Sequence, residues 1–151
     1  MYSMWLTEEQ QRIWRDYLAM ASGLQTAMHR QLQRDCELSL SDYDVLVVLS
    51  ERGTQRVYEL GEALGWEQSR LSHQLRRMRG RGLVVRHGSD DDRRGAIAEI
   101  TDGGRAALEA AAPGHVELVR SVMFDGLTAA QQRAFGSVIE TVVERLTNQL
   151  Q

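Results

Sequence analysis

Between Arg70 and Arg86 the chain carries six arginines and no acidic residue, and shortly beyond it Ser89 to Ala96 reads SDDDRRGA. A guanidinium is planar and permanently charged, suited to bidentate contact with a phosphate or with a guanine edge. Within the segment EQSRLSHQLRRMRGRG, Ser69, Arg70, Ser72, His73, Arg76 and Arg77 combine such cations with hydroxyl and imidazole groups that can reach base edges or phosphates. This is the chemistry of recognising a nucleic acid. Ser, His and Asp are all present, yet no nucleophile elbow, phosphate loop or metal-ligand motif places them, so the sequence assigns no catalytic residue, no metal site and no cofactor.

The same segment explains how those groups are presented. Leu71, Leu75 and Met78 stand at i, i+4 and i+7 and form one narrow apolar stripe on a helix. At about 100° per residue, Ser69, His73 and Arg76 fall opposite the stripe, flanked by Arg70, Ser72 and Arg77. Upstream, YELGEALG predicts a brief helix ending at Gly65, after a short extended piece at Gln55 to Val57. Downstream, Leu83 to Arg86 and Ala96 to Ile100 predict two short strands of a β-hairpin whose tip is the charged loop.

Longer helices frame this segment. Thr7-Glu8-Glu9-Gln10 fits a capping box, and Ile13, Tyr17, Ala21, Leu24, Met28 and Leu32 then recur at steps of three and four to about Arg34. A second helix is expected from near Ser41 to Arg52-Gly53. Thr101-Asp102 can cap another, running past Pro113 to about Phe124, with Pro113 bending or interrupting it. Thr128 to Gln131 repeats the capping signature, and Phe135, Val138, Ile139, Val142, Leu146 and Leu150 share one face of the last helix. Flanks this long and apolar exceed what a small core needs, which points to dimerisation through both ends of the chain.

At 151 residues the chain is about one domain, with 42% hydrophobic and 26% charged residues, as in ordinary soluble proteins. No signal-peptide pattern and no apolar run of about 18 residues appears, so the expected setting is cytoplasmic, nucleoid-associated when bound to DNA, with no membrane partner. Net charge is -4 for Met1 to Trp66, +3 for Glu67 to Arg105 and -2 thereafter. A basic middle inside an acidic chain is the distribution of a surface that meets phosphates.

Short helix, turn, basic helix and hairpin follow in the order of a winged helix-turn-helix. The expected fold is therefore mainly α with a small β-hairpin: a DNA-binding lobe over 38–100, flanked by dimerisation helices over 1–35 and 102–151 of a single domain. From Leu40 to Leu146 the sequence resembles the MarR family of bacterial transcription regulators, on LSDYDVLVVLSE, LGEALGWEQSRLSHQLRRMRGRGLVVR and above all DDDRRGAIAEITDGGRAAL. The resemblance implies that Arg70, Ser72, His73, Arg76 and Arg77 lie on the recognition helix, and that Arg94 is the wing arginine of the minor groove, with Asp92 orienting it. Apart from the resemblance, Arg86 and Arg93 are counted among the DNA-binding residues, Arg93 facing phosphate or solvent, while Asp90 and Asp91 receive no DNA role. Two departures stand out: Glu67 occupies a position where Ser or Asp often caps the helix, and His73 one where Arg is common.

The resemblance also implies a homodimer on double-stranded palindromic DNA, most often a repressor released by a small aromatic or phenolic effector. Tyr17, Met20, Leu24, His29, Leu40, Tyr43 and His115 are the expected lining of its pocket. Three alternatives remain. Cys36, expected just beyond the first helix beside Asp35 and Glu37, is the sole candidate for a redox switch, and its acidic neighbours should raise the thiol pKa. Metal sensing lacks a suitable His and acid cluster, since Val119 stands four after His115. A winged helix can also serve as a protein-interaction adaptor without specific DNA binding.

Overall fold

The computed structural model describes residues 5–88 and 95–150. Helix α1 spans Glu8–Cys36, and its entry is held by the expected capping box: Gln10 N–H donates to Thr7 Oγ1 and Thr7 N–H to Gln10 Oε1. Helix α2 spans Leu40–Arg52. It begins one residue before the expected start because Ser39 and Asp42 form a second capping box. Strand β1 (Gln55–Arg56), α3 (Val57–Leu64), α4 (Gln68–Gly80), β2 (Val84–His87), β3 (Ile97–Ile100) and α5 (Asp102–Val119) follow.

The hairpin is part of a three-stranded antiparallel sheet in the order β1-β3-β2, with Arg56 opposite Ile97 and Arg86 opposite Ala98. The extended piece at Gln55 thus joins the wing as a third strand, a pairing that two residues of sequence do not reveal. Between α3 and α4 the backbone turns at Gly65, whose φ of 68° lies in the left-handed region. Trp66 N–H donates to the Gly61 carbonyl and Gly65 N–H to that of Glu62, closing the helix end. Helix α3 therefore stops where α4 must begin to cross it.

The chain divides into two compact units, one ending at His115 and the other beginning at Val116. In the first, Leu46, Leu49 and Leu60 pack with Leu71, Leu75 and Met78 of α4, all essentially sealed from solvent. Each such side chain contributes about 1.5–3 kcal/mol by leaving water. At the start of α5, Gly104 lies so close to the Leu83 carbonyl and the Leu46 and Ile100 side chains that a Cβ would collide. Thr101 caps this helix, accepting from Gly104 N–H and donating to the Gly82 carbonyl.

Helix α5 continues through Pro113 without a break, so of the bend or interruption expected there the interruption is absent. The irregularity comes later, as a π-helical segment at Arg120–Phe124 in the second unit. Helix α6 (Ala129–Gln149) is capped by Thr128 and Gln131 and has no buried residue. Val138, Ile139, Val142 and Leu146 are all exposed along it, as is Leu150 just beyond its end. In the first unit, Ile13, Trp14, Tyr17 and Leu18 of α1 are likewise exposed, with Trp14 stacked on Tyr17 at 5.6 Å.

Candidate nucleic-acid interface

Helix α4 places its residues as its periodicity requires. Leu71, Leu75 and Met78 are buried, while Ser69, Arg70, His73, Arg76 and Arg77 are exposed and Ser72 is half-buried. Glu67 takes the N-cap position but makes no side-chain cap hydrogen bond, so the first N–H groups of α4 have no side-chain partner from it. The end of the helix is firmer: Leu83 N–H returns to the Met78 carbonyl and Gly82 N–H to that of Arg79.

Two of the exposed arginines are held. The Arg70 guanidinium lies 4.0 Å from the centroid of the Trp66 ring, a cation–π stack on a side chain packed against the core. The half-buried Asp44 carboxyl is pushed up by burial, an effect that the nearby Arg70 charge opposes. Arg77 Nη2 donates to Gln74 Oε1 at 2.6 Å, and Gln74 Nε2 donates to Asp42 Oδ1 at 2.6 Å. Arg81 closes the network from the other side, donating to Asp42 Oδ2 at 2.9 Å and to the Glu37 carbonyl at 2.6 Å.

Sequence reasoning missed Gln74, Asp42, Arg81 and Trp66. Gln74 left one trace, since it stands at i+3 between Leu71 and Leu75 and so completes the buried stripe with a polar residue. Arg86 is half-buried on β2, and on the same sheet His87 Nε2 lies 3.2 Å from Glu99 Oε2, a pair the sequence did not single out. Asp92, Arg93 and Arg94, with Asp90 and Asp91, lie outside the described residues.

The expected pocket residues fall into two groups. Tyr43 and His115 meet, ring centroids 5.1 Å apart, and Leu40 and Tyr43 pack against the core. Tyr17, Met20 and His29 are exposed on α1, where Leu24 is half-buried. Nearby, the Asp35 carboxyl is held below its ordinary value by the Gln31 amide and then by Arg34. Gln31 also donates to the Ala111 carbonyl, tying α1 to α5.

Cys36 is the last residue of α1 rather than beyond it, its thiol donating to the Leu32 carbonyl. Its pKa is raised, first by burial and less by the charges of Asp35 and Asp42, the latter a neighbour the sequence did not point to. Among the described residues no three His, Cys, Asp or Glu side chains cluster as metal ligands, and no helix is long and apolar enough to cross a membrane.

These features define a winged helix-turn-helix whose second helix turns a basic, hydrogen-bonding face to solvent. The family model of the MarR family matches residues 38–95. Two crystal structures from Streptomyces coelicolor are similar over nearly the full length. Sco3205, a MarR family transcriptional regulator in complex with DNA, is 40% identical, with 96% of this chain and 92% of that one covered and a TM-score of 0.86. AbsC, a MarR family transcriptional regulator, is 33% identical over 97% of this chain and 99% of that one, also with a TM-score of 0.86. An HTH-type transcriptional regulator of Bacillus subtilis, YfiV, is 25% identical over 78% of this chain and 73% of its own length. The chain belongs to the MarR family of transcription regulators.

Proposed function

We propose that this regulator is a homodimeric repressor of a palindromic operator, released by a small aromatic or phenolic effector. The observation that carries the reading is the outer face of α4, where Ser69, Arg70, His73, Arg76 and Arg77 stand exposed beside half-buried Ser72 on a helix anchored by its opposite stripe. Sco3205, similar across the whole chain, was crystallised on DNA. Arg94, oriented by Asp92, is the proposed minor-groove reader, and that part rests on the family's motif; Arg86 and Arg93 are further proposed DNA-binding residues. Tyr17, Met20, Leu24, His29, Leu40, Tyr43 and His115 are the proposed effector residues, of which Tyr43 and His115 are in contact.

A ligand can release DNA only through unequal affinity for the DNA-competent and incompetent states. Redox control through Cys36 is the weaker reading, because burial raises the thiol and reduces its nucleophilic fraction. Selection of duplexes from a random pool tests the main proposal. It predicts an inverted repeat with half-sites about one helical turn apart, steep loss of affinity with salt, and weakened binding by Arg94→Ala. Weak binding without sequence preference would support an adaptor instead.

A further inference from the structure

Arg77 and Arg76 are neighbours on the exposed side of α4, yet they differ in how they are held. Arg76 has no side-chain hydrogen bond among the described residues, whereas Arg77 is the end of a chain of three. Gln74, only 3% exposed, uses both ends of its amide. Asp42 can only accept and Arg77 can only donate, so the amide must offer its NH2 to the carboxylate and its oxygen to the guanidinium. Asp42 is itself held by further hydrogen bonds, since its Oδ2 accepts from Ser39 N–H in the α2 capping box and from Arg81.

A merely structural role does not account for this arrangement. The position of Gln74 between Leu71 and Leu75 suits an apolar side chain, and a buried amide is costly unless both ends are satisfied. Here one of its two partners is an exposed side chain on the proposed DNA-binding face. We propose that Asp42 and Gln74 are positioning residues for DNA recognition: the buried carboxylate orients the Gln74 amide, and the amide orients the Arg77 guanidinium for its DNA contact. This rests on the reading of the chain as a DNA-binding regulator. A guanidinium held before DNA arrives loses less rotamer freedom on binding, and one committed N–H leaves its remaining donors for the ligand.

Two measurements test the relay. In the wild-type protein, NMR relaxation of the arginine side-chain nitrogens should show Arg77 restricted and Arg76 mobile; equal mobility of the two would overturn the proposal without need of any variant. The second uses a duplex selected from a random pool by the wild-type chain. Gln74→Met keeps length and apolar packing but removes both hydrogen bonds. It should weaken binding about tenfold in the wild-type background. In an Arg77→Ala background the effect should shrink to under about twofold. Equal losses in both backgrounds would make Gln74 structural and overturn this proposal alone. A wild-type chain that selects no duplex would overturn the regulator reading and the proposal with it.

Discussion

Trp66 beneath Arg70 and Gln74 beneath Arg77 divide the cations of α4 into held and unheld. His73 and Arg76 make no side-chain hydrogen bond among the described residues, so they keep the freedom to meet base edges in more than one geometry. Cys36 gives a residue-scale prediction. Its thiol is raised by burial, so alkylation near pH 7.5 should be slower than that of free cysteine, whose pKa is about 8.5. A rate above that of the free amino acid would restore the redox reading. The exposed face of α4 was legible because a helical period alone separates Leu71, Leu75 and Met78 from the residues opposite. Its support was not: the Gln74 to Asp42 and Arg81 to Asp42 bonds span 32 and 39 residues, which no local pattern reports.

At the scale of elements, the turn between α3 and α4 sets the angle at which the basic face is presented. Gly65 occupies the left-handed region there, with no neighbouring atom to crowd a Cβ. Gly65→Ala should therefore act through backbone strain alone, costing about 1 kcal/mol. In a chain of this size that lowers the melting temperature by about 2–4 °C. An unchanged transition in calorimetry would contradict the turn assignment. Capping residues were legible at Thr7, Thr101 and Thr128, where a hydroxyl and its partner sit three residues apart. Of the bend or interruption expected at Pro113, the interruption does not occur, since α5 carries the proline within one continuous helix. The extended piece at Gln55 was legible, but its place as a third strand was not, since β1 is only two residues long and is defined by its pairing with β3.

For the whole molecule, the apolar face of α6 is uncovered in a single chain, as is that of α1 around Trp14 and Tyr17. A second copy is the proposed cover. Sedimentation should give a dimer, and Ile139→Glu or Val142→Glu, placing an unpaired charge in that interface, should raise its dissociation constant about a hundredfold. A dimer indifferent to both substitutions would move the interface elsewhere. A dimer of this kind would turn one recognition helix into two related by symmetry, and a palindrome is the DNA that matches such a pair. The central claim is that the outer face of α4 reads base sequence. Its most direct test is duplex selection with the wild type, His73→Ala and Arg76→Ala, compared position by position. The account predicts altered base preference at symmetry-related positions of both half-sites, whereas a uniform loss of affinity with the preferred sequence unchanged would contradict it.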